Sequence, residues 1–123
     1  MPQENAKDTL VVATGAHGMF KARLFEAIER GDLSEFASAK AGRDDLCVFG
    51  KWLHEEIPVS LKLSAHFPRV QALHADFHKS VARALVLAER GKKAEAIDSV
   101  RQASTPLTIE LMAWSRELDP KSG

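Results

Sequence analysis

The sequence predicts an all-α fold, an antiparallel four-helix bundle with an additional short helical segment, on three observations. Apolar residues recur at intervals of three and four along most of the 123 residues, the spacing that lines one face of a helix. No stretch alternates with period two, as a half-buried strand would. Only seven glycines and five prolines interrupt the chain, and tyrosine is absent.

From Asp8 to Arg30, Ala13, Phe20, Leu24 and Ile28 fall on one stripe that also holds His17, and Gly31-Asp32 supplies a stop. Asp32-Leu33-Ser34-Glu35 places an acid three residues after a capping residue, so a second helical piece is expected through Phe36 and Ala39, interrupted at Ala41-Gly42-Arg43. Asp44 and Asp45 can then cap a short helix holding Leu46, Cys47, Phe49, Trp52 and Leu53, which Pro58 must end. Ser60 to Ala65 reads as a connection or a short helical turn, and Pro68 belongs in the first turn of the next long helix. That helix carries Phe67, Val70, His74, Phe77, His78, Val81, Leu85 and Ala88 on its stripe until Gly91. The last segment sets Ile97, Val100, Ser104, Leu107, Leu111, Trp114 and Leu118 at 3-4 spacing, as in a bundle seam or a partner contact. Pro106 lies inside it, and either a kink near Gln102 or a break recapped by Ser104 or Thr105 is expected.

Composition bounds the function. With 45% hydrophobic residues and 123 positions, one domain over residues 1–123 can bury its own core, residues 1–7 and 120–123 being the expected flexible ends. The 17 basic and 17 acidic residues cancel, which argues against nucleic acid or an anionic membrane as partner. No secretory signal opens the chain, and no apolar run approaches the roughly 20 residues of a membrane span, so a cytoplasmic location is expected. The lone cysteine has no intrachain partner.

The usual catalytic signatures are missing: there is no glycine-rich phosphate loop, GxSxG, HExxH or paired CxxC. What remains is His74 and His78, four apart on one helical face with Cβ atoms about 6 Å apart, close enough for both imidazoles to hold one metal. They share an apolar stripe, where ring nitrogens need partners, and His17 does likewise on the first helix. With Cys47 this makes four borderline ligands from three helices, a set that fits tetrahedral zinc. The Glu-x-x-His repeats of di-iron bundles are absent. His54, before Glu55-Glu56, and His66, beside Pro68, are expected to be exposed or helix-capping. Trp52 is expected to pack over the metal and tune the thiolate, or simply to fill the core; Asp44 and Asp45 are helix caps that could also accept an imidazole N–H.

His17 with Phe20-Lys21-x-Arg23-Leu24, then Cys47-Val48-Phe49-Gly50-Lys51-Trp52-Leu53, then Leu73-His74-x-x-Phe77-His78, resemble the chemoreceptor zinc-binding (CZB) domain family over almost the whole chain. The resemblance implies a small helical bundle, commonly homodimeric, with one Zn2+ per subunit on His17, Cys47, His74 and His78. It also implies a sensor of zinc or of oxidation at Cys47. The family is usually fused to chemoreceptor signalling modules or diguanylate cyclases. Here no GGDEF-type segment or long receptor coiled coil is present, so a stand-alone member signalling in trans to such a protein is expected. A permanent structural zinc in an interaction bundle is the alternative. A zinc hydrolase is disfavoured, because Asp76 points to another helix face and Glu55 and Glu56 face solvent, so no enzymatic activity is expected.

Overall fold

A computed structural model describes residues 2–33, 36 and 48–118, the side chains of 2–6 and 48 excepted. Three long helices, α1 (Pro2–Arg30), α3 (His66–Glu89) and α4 (Lys93–Glu117), pack with one short helix, α2 (Val48–Lys51), into an all-α bundle. No strand occurs among the described residues. α1 starts six residues before the point at which the apolar periodicity becomes readable, since Pro2 fits the first helical position and nothing up to Asp8 breaks the helix.

Two glycines end helices by the same device. Gly31 and Gly91 take positive φ values of 77° and 80°, and the N–H groups of Asp32 and Lys92 turn back to donate to the carbonyls of Ala27 and Leu87 at 3.2 and 2.9 Å. The second turn is so tight that α3 and α4 must lie antiparallel, and they form the most extensive backbone approach among the described residues. α1 also runs antiparallel to α4: Lys93 Nζ donates to the Glu29 carbonyl at 3.1 Å, and the Arg101 guanidinium sits 5.5 Å over the Phe25 ring. α1 and α3 therefore run in the same direction, both packed on α4.

α2 passes without interruption into a π-helical turn, Trp52–Glu56, closed by the Ile57 N–H donating to the Trp52 carbonyl at 2.8 Å. The looser turn holds Phe49, Leu53 and Ile57 on one buried face. Ile57 is extended, as the residue before a proline must be, and Pro58 leads into a 3-10 turn, Val59–Leu63. Pro68 falls in the first turn of α3, as expected.

The seam on α4 is intrachain core: Val100, Leu107, Leu111 and Trp114 are almost fully buried, and Ile97 and Leu118 pack against them. Pro106 breaks nothing. α4 is one continuous helix, without recapping at Ser104 or Thr105, because Pro106 lies on the exposed side and Ser104 and Leu107 on the core side hold both halves in register. The expected piece through Ala39 falls largely outside the described residues, as do residues 120–123. No helix among the described residues is long and apolar enough to cross a membrane.

Candidate metal centre

α1 and α3 bring three histidines together. His17 projects from α1, and His74 and His78 project one turn apart from α3; one ligand nitrogen of each lies within 4.8 Å of the others. His74 is wholly buried and His78 nearly so. The His17 and His74 Nε2 atoms are 3.2 Å apart. Two imidazole nitrogens on one tetrahedral zinc, each about 2.0–2.1 Å from it, are separated by about 3.3 Å, so this spacing is that of a ligand pair. Among the described residues no carboxylate joins the group.

The state of His17 suits a ligand. Its Nδ1–H donates to the Ala13 carbonyl one turn back, at 2.7 Å, which leaves the Nε2 lone pair facing His74. Burial pushes its pKa below the ordinary 6.5; the Ala13 carbonyl opposes this and the neighbouring His78 adds to it. A neutral ring with one committed N–H is the form a metal requires.

Aromatic rings wall the cluster. Phe49 meets His74 and His17 edge-on at 5.2 and 5.8 Å, and Phe77 meets His17 and His78 at 5.5 and 5.4 Å. Trp52 stacks on the far side of Phe49, 5.8 Å away and 18° from parallel, so Phe49 is what lies directly over the imidazoles and Trp52 backs it. Neither Phe49 nor Phe77 stands out as a site residue in the sequence. The available signal is positional: Phe49 follows Cys47 by two, and Phe77 lies between the two α3 histidines. Cys47, Asp44 and Asp45 lie outside the described residues.

The remaining histidines divide. His54 is exposed at the π-helical turn, as expected, and so are Glu55, Glu56 and Asp76. His66 departs from expectation. It is the first residue of α3, its side chain is only 20% exposed, its Nδ1 pairs with Glu110 of α4, and its ring lies 6.4 Å from that of Trp114, 24° from parallel. Glu117 and Ser64 complete this cluster, the Ser64 hydroxyl donating to Glu117 at 2.9 Å. Its origin is the antiparallel α3–α4 pairing, which residue spacing within α3 does not reveal.

The family model for the chemoreceptor zinc-binding domain matches residues 17–85, more than half of the chain, starting at the first of the three clustered histidines and running past the last. No curated protein and no solved structure matches the chain. Two buried imidazoles and one half-buried one converge, with no carboxylate among the described residues, and the matched segment contains all three; the chain belongs to the chemoreceptor zinc-binding family, whose members are zinc-binding sensory domains.

Proposed function

We propose that this chain is a zinc-responsive sensory module, not an enzyme. It holds one Zn2+ per subunit through Nε2 of His17, through His74 and His78, and through the thiolate of Cys47, and it reports occupancy, or oxidation of Cys47, to a partner protein. The carrying observation is the convergence of three imidazoles, two of them buried and one half-buried, whose nitrogens lie within 4.8 Å. Phe49, two residues beyond Cys47 in the sequence, packs on two of these rings, which supports a ligand from that segment at the fourth position. Bound zinc supplies a fixed positive charge that keeps the thiolate deprotonated. Asp44 and Asp45 serve as caps ahead of α2, with an imidazole N–H as their second acceptor role.

In the redox branch, the Cys47 thiolate attacks the oxygen of a peroxide, the O–O bond breaks with loss of hydroxide, and a sulfenic acid remains. The chain has no second cysteine to resolve it, so the oxidised form persists until an external thiol reduces it. Hydrolysis is disfavoured, since among the described residues Glu55, Glu56 and Asp76 are exposed and no carboxylate joins the cluster to act as base. The partner in the assembly is a second copy of the chain, supported by the exposed Val11, Val12 and Met19 of α1, and the output is a chemoreceptor or diguanylate-cyclase-type protein in trans. Sedimentation at several concentrations checks the dimer; a concentration-independent monomer rejects it.

Metal analysis of untagged protein is the direct test. One zinc per chain is expected for the wild type, and loss of most of it for Cys47→Ala and His74→Ala. Full retention in Cys47→Ala removes the thiolate from the site. A metal released only on global unfolding, beside a thiol inert to dilute peroxide, would make the zinc structural and reject sensing.

A further inference from the structure

Apart from the imidazoles, α3 and α4 flank an open groove of about 300 Å³. Asp76, Lys79, Ser80 and Arg83 line it from α3 at i, i+3, i+4 and i+7; Ser99, Gln102 and Pro106 line it from α4 on the equivalent stripe. Leu73 and Ala103 add apolar wall, so the antiparallel seam sets two partly polar stripes against each other here.

The groove's polar groups are not fully used by the protein. The Ser99 hydroxyl is buried and has no hydrogen-bond partner among the described residues. Pro106 brings no N–H to the Gln102 carbonyl, and the Gln102 amide spends one N–H on Asp98 at 2.8 Å, leaving a second. Among the described residues Lys79 and Arg83 enter no ion pair or hydrogen bond, and together they outweigh Asp76. A buried hydroxyl left without a partner is costly, and a ligand oxygen would relieve that cost.

We propose that this groove binds a small organic anion bearing one phosphate or carboxylate group, its charge held by Lys79 and Arg83 and its oxygens by the hydroxyls of Ser80 and Ser99. The volume lies at the lower end of small-molecule sites, which fits a metabolite and not a polymer. Asp76 on the same wall selects against polyanions. The site uses none of the zinc ligands, so it stands or falls independently of the zinc reading.

The test titrates the zinc-loaded full chain with inorganic phosphate and, separately, with acetate at constant ionic strength, following backbone amides by NMR. Saturable shifts confined to residues 76–83 and 99–106 are expected; saturation by phosphate alone identifies a phosphate ester, by acetate alone a carboxylate, and by both a site open to either. Arg83→Gln and Lys79→Gln, both at exposed positions, should each weaken binding on the order of tenfold with the thermal midpoint unchanged. Lys62→Gln, elsewhere on the surface, should leave it unaltered. Shifts that do not saturate with either probe, or equal weakening by Lys62→Gln, would overturn the proposal.

Discussion

Replacing His74 with alanine separates what the metal contributes to stability from what packing contributes. His74 is fully buried and touches His17, His78 and Phe49 at ring distances of 5.1, 4.6 and 5.2 Å. Without metal, deleting the ring costs about 2–4 kcal/mol in lost contacts and cavity, offset in part because one desolvated polar ring is gone, for a net loss of about 1–3 kcal/mol. With metal the arithmetic differs. Free zinc at a thousand times its dissociation constant stabilises the native wild type by about 4 kcal/mol, or on the order of 15 °C in Tm for a domain of this size. Removing one of three converging imidazoles should reduce that increment to less than about 1 kcal/mol at the same free zinc. The assay is urea denaturation followed by far-UV circular dichroism, wild type and variant, each in chelator and in a zinc buffer. The quantity of interest is the zinc-dependent difference, from which the packing term cancels. A variant that keeps the full zinc increment, or a wild type that shows none, would refute the assignment of His74 to the metal.

Further outcomes are expected on the same principles. The folded pKa of His17 lies below its ordinary 6.5, so the unfolded chain takes up a proton that the native chain does not; metal-free stability should be level above about pH 6.5 and fall as pH drops from there towards the folded value. His17→Gln should flatten that part of the stability-pH curve, as measured by urea midpoints between pH 5 and 8. Pro106→Ala restores the N–H that the Gln102 carbonyl lacks within a continuous helix and should stabilise the chain by about 1–3 kcal/mol in urea. Trp114, fully buried with no partner for its indole N–H among the described residues, should tolerate phenylalanine at a cost below about 1.5 kcal/mol, whereas alanine should cost about 3–5 kcal/mol in the same measurement. Zinc removal should speed amide hydrogen exchange in residues 13–20 and 49–56 before it affects Val100 to Trp114; uniform acceleration would count against a local response.

The fold was legible where its physics is local. The stripes of α1, α3 and α4 could be read from spacing, and both helix-ending glycines adopt the left-handed conformation that their position in the sequence suggested. The three imidazoles were legible for a related reason: a histidine on an apolar stripe must find a partner, and His17, His74 and His78 find one another. What the sequence hid depends on pairing between helices. His66 read as an exposed or helix-capping imidazole because its partner, Glu110, lies 44 positions away on a helix whose register against α3 is not encoded in either stripe alone. The continuity of α4 through Pro106 was equally hidden, since tertiary packing on the core side decides whether a proline kinks, breaks or merely weakens a helix.

The placement of the histidines bears on how a metal could be sensed at all. The close backbone approaches of the bundle join α4 to α3 and α4 to α1, whereas α1 and α3 meet chiefly through rings, with Phe20 and His17 on one side and Phe77, His74 and His78 on the other. That junction buries polar nitrogens where an ordinary bundle would bury aliphatic carbon, so its strength depends on what those nitrogens bind. The α3–α4 seam rests mainly on the apolar side chains of Val100, Leu107, Leu111 and Trp114, with Ser104 as its buried polar residue, and depends far less on what its polar groups bind. A change at the imidazoles therefore acts on the weaker of the two junctions while the stronger preserves the fold. α2, four residues long and held against the cluster by Phe49, is the element with the least helix of its own to resist that change.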